Sequence, residues 1–336
     1  MLHSRYISIQ TIEGIGTHAI YKARADVNTI IESCGYTPVT LGSRSRVGFF
    51  RVLKRYYDIY SLKFKLHKGD NVFFQFPWIH NNKPEFYANL FKNGAEIQCI
   101  IHDLDSLRGI ERKDHNELRD LSHFHSIIAH TPAMKQFLVE KGIEEQKIKI
   151  LNIFPYLTKA PKIDLVKYDK PTIVFAGNLS KSLFINKLNE IASTDLRFNI
   201  YGKGMEHFPT AEFIKYKGVF SPDYPVVEGN WGLVWDGAQL ETCEGLYGEY
   251  LRFNSSHKIS LYLALGIPVI IWSGSSLKHF IESNHLGIVV NSLTELSATI
   301  NHLSDEQMAN IRAGVSRFVP IIRSGEMLKN LVTPAL

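Results

Sequence analysis

The order of apolar runs in this 336-residue chain predicts an α/β protein built from two doubly wound, Rossmann-like domains. Three observations carry that expectation. Strand-like runs alternate with segments of helical spacing along the whole chain. Several runs, among them Val72–Phe76 and Ile97–Ile101, are almost continuously apolar, the mark of parallel strands covered on both faces. The alternation then pauses at the polar, proline-bearing stretch Thr158–Asp164 and starts again.

Taken in order, strands are expected near Tyr6–Ile12, Thr37–Leu41, Asn71–Pro77, Glu96–His102, Ser126–His130 and Lys147–Ile153. Helices such as His18–Cys34 and Thr131–Lys141 are expected between them. The second series is expected near Thr172–Ala176, Phe198–Tyr201, Ile214–Val219, Gly232–Trp235, Pro268–Trp272 and Gly287–Val290. Two such series imply an N-terminal domain over residues 1–157 and a C-terminal one over 158–315. A helical segment over 316–336 would pack back across the cleft. Ligands of such sheets bind beyond the carboxyl ends of the strands, which places the expected site where the two halves face each other.

At 45% hydrophobic and 21% charged, the composition is that of a soluble globular protein. No apolar run reaches the roughly 18–20 residues that span a bilayer, and the first residues carry no signal-peptide core. Cys34, Cys99 and Cys243 are too few and too scattered for a disulfide framework. A cytoplasmic, reducing home is expected. The net charge of +5 is too modest to imply nucleic acid.

The richest stretch is Trp231–Ile270. It reads as a buried strand, an acidic loop bearing glycines, a helix start carrying cations, and a second buried strand. Asn254, Ser255 and Ser256 are all good helix caps, and Gly266 and Pro268 end the helix. His257 and Lys258 fall in its first turn, where a cation opposes the helix dipole; an anionic ligand would remove that conflict, while an exposed, tolerated lysine is the plain alternative. Asp236, Glu241, Glu244 and Glu249 crowd the loop, placed either for sugar hydroxyls or simply in solvent. Phosphate on one side and carbohydrate on the other suggest a sugar nucleotide. Nearby, Gly177 permits a tight turn, Asn178 and Ser180 are candidate caps, and Lys181 would stand near a diphosphate. Tyr201 would stack on a base, with Gly202 allowing close approach; both segments also read as ordinary strand–helix turns.

In the first half, Gly14–Thr17 resembles a truncated phosphate loop, but the third glycine is missing and position 19 is alanine. Gly16 and Thr17 are better placed in a flexible loop over the cleft, followed by Lys22, Arg24 and Asp26. Asp103 and Asp105 have the Asp-x-Asp spacing that can hold a divalent cation. Lysines at the diphosphate argue against a metal, and none is assigned; Asp103 is then either a general base or a strand-end cap. His102, Asp105 and Arg108 would line the acceptor side of the cleft. His123, His125 and His130 match no zinc spacing and are read as structural.

Between Arg44 and Lys68 lie eight basic residues against one acid, Asp58, interleaved with Phe49, Phe50, Tyr56, Tyr57, Tyr60 and Phe64. Such a ridge either rests on anionic lipid or is a solvated basic face over a buried aromatic side.

Ile101–Gly109 (Ile-His-Asp-Leu-Asp-Ser-Leu-Arg-Gly), Phe175–Ser180 (Phe-Ala-Gly-Asn-Leu-Ser) and Trp235–Trp272 resemble bacterial β-1,6-galactofuranosyltransferases of polysaccharide assembly. More distantly, the chain is similar to streptococcal glucosyltransferases that extend N-acetylglucosamine on serine-rich adhesins. The resemblance implies a GT-B fold, a UDP-sugar bound by the second domain, an acceptor at the first, no metal or other cofactor, and a homo-oligomer. It matches Lys258 to the lysine that meets the diphosphate and Asp103 to a shared aspartate. Lys181 stands where the glucosyltransferase branch has arginine, and Glu241 and Glu249 keep a Glu-x7-Glu spacing. The implied reaction moves a hexose, galactofuranose first, from UDP to a glycan hydroxyl with inversion; the glycan is carried on lipid or on an adhesin. A sugar-nucleotide epimerase and a non-catalytic nucleotide-binding subunit are the rival readings.

Overall fold

Strands form where apolar runs let both sheet faces be covered. In the computed structural model, β1 (Tyr6–Thr11), β2 (Thr37–Leu41), β3 (Asn71–Phe76), β4 (Glu96–Ile101), β5 (Ser126–Ala129) and β6 (Ile148–Ile150) make one sheet in the order β2-β1-β3-β4-β5-β6. Every pairing in it is parallel. The structure describes residues 5–11, 19–42, 48–78, 84–110, 116–205, 208 and 211–332. Gly16 and Thr17 therefore lie outside the described residues, as do Arg44 and Arg46.

The unit containing this sheet comprises Met1–Leu151 and Leu328–Leu336. Its helices are α1 (Ala19–Ser33), α2 (Gly48–Lys65), α3 (Pro84–Phe91), α4 (Glu117–Ser122) and α5 (Pro132–Glu140). Phe74, Phe76, Phe86, Tyr87 and Phe124 dominate its core, with Phe74 stacked on Phe124 at 5.8 Å. Thr131 opens α5 by accepting the Met134 N–H at 3.2 Å, with Pro132 in the first turn, as the Thr-Pro pair predicts.

The second unit, Asn152–Met327, carries β7 (Thr172–Asn178), β8 (Arg197–Lys203), β9 (Ile214–Gly218), β10 (Trp231–Val234), β11 (Val269–Trp272) and β12 (Gly287–Val290). Their order is β12-β11-β10-β7-β8-β9, again parallel throughout. Its helices are α6 (Gly245–Tyr250), α7 (His257–Ala264), α8 (Lys278–Ser283), α9 (Leu296–Asn301) and α10 (Asp305–Ser324).

Two expected boundaries move. The first falls at 151/152 rather than 157/158, because Ile153 and Tyr156 are buried in the second core and the Tyr156 N–H donates to Ile322 O at 3.1 Å. The expected linker is likewise bound in: Ile163 N–H donates to Leu265 O, and Arg323 reaches Ala160 O. The second boundary, 315/316, falls inside α10, which a Ser304–Gln307 capping box opens and Gly325 ends at φ 71°. The chain leaves the second unit only after Met327, and Leu331 O then accepts from Gln98 Nε2 and Lys149 Nζ, both at 2.9 Å, within the first unit. Among the described residues no helix is long and apolar enough to cross a membrane.

Candidate functional site

In the second unit the strand order reverses between β7 and β10, which pair through Ile173–Trp231 and Val174–Gly232 while later strands extend to either side. The crevice beyond the carboxyl ends of those two strands is where such sheets bind ligands. Tyr262 of α7 props it: its buried hydroxyl accepts the Ala176 N–H at 2.9 Å and donates to Leu233 O at 3.3 Å. Gly232 makes room for that ring, since a Cβ there would lie 2.2 Å from Tyr262 Cγ.

Five expected residues meet at this point. Lys258 Nζ donates to Asp236 Oδ2 at 2.9 Å, with both side chains nearly buried at 10% and 6% exposure. The same ammonium stands 5.1 Å from the Phe175 ring centre. Asp236 Oδ1 accepts from Ser182 Oγ at 3.2 Å. Gly177 lets the lysine stem pass, because a Cβ would sit 2.9 Å from Lys258 Cε. Gly202, at φ 140°, pairs with Gly177 so closely that a Cβ would fall 1.9 Å from Gly177 O. Asn178 ends β7 and caps a short 3-10 turn, its Oδ1 accepting the Ser180 N–H at 3.0 Å.

This geometry changes the argument for Lys258. The clash between its charge and the dipole of α7 is answered inside the chain by the Asp236 carboxylate. Asp236 is therefore a partner of the lysine before it is a partner of any sugar. The side chain of Ser256, at the N-cap position of α7, makes no capping bond. Asn254 Oδ1 is buried with no partner among the described residues, an acceptor that a ligand hydroxyl would satisfy. Lys181 Nζ lies 4.8 Å from the Tyr247 ring centre at the start of α6.

Other expectations part from the structure. Tyr201 does not offer its ring to a base: it is buried, edge-on to Phe220 at 5.7 Å, and its hydroxyl accepts the Glu228 N–H. His257 packs its ring on Tyr156 at 5.3 Å. Glu241 is exposed, and Glu249 is paired with Arg252 Nε at 2.6 Å, Arg252 itself lying over Trp272. The Glu-x7-Glu spacing thus does not bring both carboxylates to the Lys258 cluster.

In the first unit, His102, Asp103, Asp105 and Arg108 follow β4. Arg108 Nη1 lies 3.8 Å from both Asp103 Oδ2 and Asp105 Oδ1, so a guanidinium occupies the place between the two carboxylates. Buried Glu117 fixes this turn by accepting the Asp105 and Ser106 N–H groups at 3.1 and 2.9 Å. Asp103 is the more exposed of the two aspartates. His102 Nε2 bonds Gln75 Oε1 at 2.6 Å; the Gln75 amide nitrogen is committed to Asn28 Oδ1 and Arg24 O, which leaves the histidine as donor. Lys22 and Asp26 form a buried pair at 2.6 Å on α1.

The remaining histidines serve the fold. His125 Nδ1 accepts the Ile97 N–H, and His123 stacks on Phe91. Burial pulls His130 down to about 4, although its Nε2–H donates to Ile101 O at 2.8 Å. Between pH 6.5 and 4 the unfolded chain binds this proton and the folded chain does not. Stability should therefore fall as pH drops through that window, by about 3 kcal/mol in total from this group. His130→Gln keeps the donor and should flatten the difference; urea midpoints at both ends of the window measure it.

Comparison with known proteins agrees with this architecture. Residues 5–153 match the family profile of the glucosyltransferase 3-like N-terminal domain, and residues 173–335 that of the C-terminal domain. The β-1,6-galactofuranosyltransferase WbbI of Escherichia coli K12 is 31% identical over 80% of this chain and 79% of its own length. Glucosyltransferase 3 of Streptococcus gordonii is 26% identical over 87% and 90%. HepE of Anabaena, solved in complex with UDP and glucose, superposes with a TM-score of 0.57 at 10% identity, covering 97% of this chain and 98% of that one. The lipopolysaccharide outer core galactosyltransferase WaaB superposes at 0.58 with 12% identity, over 97% and 98%. Such structural likeness speaks for the fold, which is GT-B. With both of its domains matched, the chain belongs to the glucosyltransferase 3-like family of glycosyltransferases.

Proposed function

We propose that this enzyme transfers galactofuranose from UDP to a hydroxyl of a glycan acceptor, by a single inverting displacement that needs no metal ion. The observation that carries the reading is the Lys258–Asp236 pair at the β7–β10 switch point, a nearly buried ammonium beside the start of α7. Lys258, Lys181 and the first N–H groups of α7 would stabilise the departing diphosphate. Because the Tyr201 ring is buried, the nucleoside would rest on the backbone at Gly202 instead. Asn254 Oδ1 would accept from a donor hydroxyl. Asp103 would take the acceptor proton, with the Arg108 guanidinium beside it. That guanidinium does the electrostatic work that a cation bound by Asp103 and Asp105 would otherwise do.

Identity to WbbI above that to the glucosyltransferases favours galactofuranose. Glucose is the second reading, supported by the longer share of the chain that glucosyltransferase 3 matches. The acceptor would be a growing glycan, carried on lipid, and the working form a homo-oligomer at the inner face of the membrane. Incubation with UDP-galactofuranose, UDP-galactopyranose or UDP-glucose, each with and without a glycan acceptor and EDTA, tests the assignment. Transfer should be fastest from UDP-galactofuranose, depend on acceptor, and survive EDTA. Activity lost to EDTA and restored by manganese would overturn the metal-free mechanism, and preference for UDP-glucose would select the second donor.

A further inference from the structure

The helix α2 turns its apolar side outward. Phe49, Tyr57 and Phe64 are 68%, 63% and 73% exposed, and Leu53, Tyr56 and Tyr60 are exposed beside them. On a helix these positions fall within a single stripe about 100° wide, running roughly 23 Å along the axis. The opposite side packs inward through Asp58, Ile59 and Leu62. An amphipathic helix normally covers its aromatic side with the core; this one presents it.

The charges around the stripe are of one sign. Lys63 Nζ lies 5.0 Å from the Phe64 ring centre and 5.9 Å from that of Tyr60, while Lys54 and Lys65 flank Tyr57. The helix's one acid, Asp58, is buried and bound by Lys54 and the Gly42 N–H. Tyr57, Tyr60, Ser61, Lys63, Phe64 and Lys65 also line a shallow depression of about 350 Å³. A second copy docking α2 on α2 would bring lysines against lysines with no exposed carboxylate on the helix to answer them. An apolar phase edged with negative charge fits both features together.

We propose that α2 is an interfacial helix that seats the first unit on an anionic phospholipid bilayer. Its aromatic rings enter the acyl boundary and its lysines reach up to lipid phosphates. This goes beyond the transfer reaction and does not depend on which sugar is moved.

Flotation of the full chain with phosphatidylcholine vesicles, with and without phosphatidylglycerol, tests it. Wild type should float with the anionic vesicles and lose most binding at high salt. Phe49→Ser/Tyr57→Ser/Phe64→Ser and Lys63→Glu/Lys65→Glu should each cut the bound fraction about tenfold or more. Their melting temperatures should not change, because the three aromatic side chains are exposed and the two lysines are only half-buried beside them, and transfer to a soluble acceptor should stay at the wild-type rate. Failure of transfer would count against the proposed reaction; the flotation result judges the helix alone. Wild type that ignores anionic vesicles, or variants that bind as well as wild type, would overturn the proposal. So would a triple variant that changes only the oligomeric state in sedimentation velocity.

Discussion

Lys258→Ala is expected to lower turnover about 10²-fold, the usual loss when one charge-stabilising group is removed from a leaving group. It should also destabilise the second unit by about 3–5 kcal/mol, because Asp236 is left charged, nearly buried and unpaired. The two losses have different origins and can be separated. Lys258→Met/Asp236→Asn removes both charges while keeping the volume, so most of the stability should return. Turnover should not return, since no ammonium then faces the diphosphate. Urea midpoints and single-turnover transfer rates read the two quantities independently. A double variant that regains the wild-type rate would reduce Lys258 to a structural role.

Most of the architecture was legible in the sequence because both sheets are parallel and covered on both faces. Under that condition burial imprints a near-continuous apolar run, and β3, β4 and β12 lie within a residue or so of where such runs place them. Domain boundaries were less legible. Nothing local distinguishes Ile153, which joins the second core, from the end of the strand before it. Helix α10 passes through Val315 without a break, and Pro320 inside it gives a misleading signal of interruption.

The site was half legible, for a reason that Lys258 illustrates. A cation in the first turn of a helix is a local anomaly that sequence displays. Its remedy, Asp236, lies 22 residues earlier on another loop, so only the fold reveals the pairing. Tyr201 shows the converse. An aromatic beside a glycine at a strand end reads as a stacking platform, but side-chain alternation turned it into the core. Tyr262 and Ser182 were missed outright. The one available signal was Gly232, a glycine inside an apolar strand, which marks the close approach of a bulky neighbour.

Asp103→Asn is expected to lower transfer by about 10²–10⁴-fold, the range that general base catalysis supplies. The argument rests on which carboxylate can reach a substrate. Asp105 is nearly buried, on a turn whose N–H groups Glu117 holds, whereas Asp103 keeps about a third of its side chain exposed. Arg108 lies the same distance from both, so its charge does not distinguish them; access does. The asparagine is isosteric and can still face the guanidinium through its carbonyl oxygen, so the turn should persist. UDP binding, followed by the rise in melting temperature it produces, should be unchanged, because the nucleotide is assigned to the second unit. Asp105→Asn should cost stability more than rate. His102→Gln serves as the competing test, since His102 stands next to Asp103 and donates to Gln75. If Asp103→Asn retained transfer while His102→Gln abolished it, the imidazole would be the base and Asp103 a member of the turn.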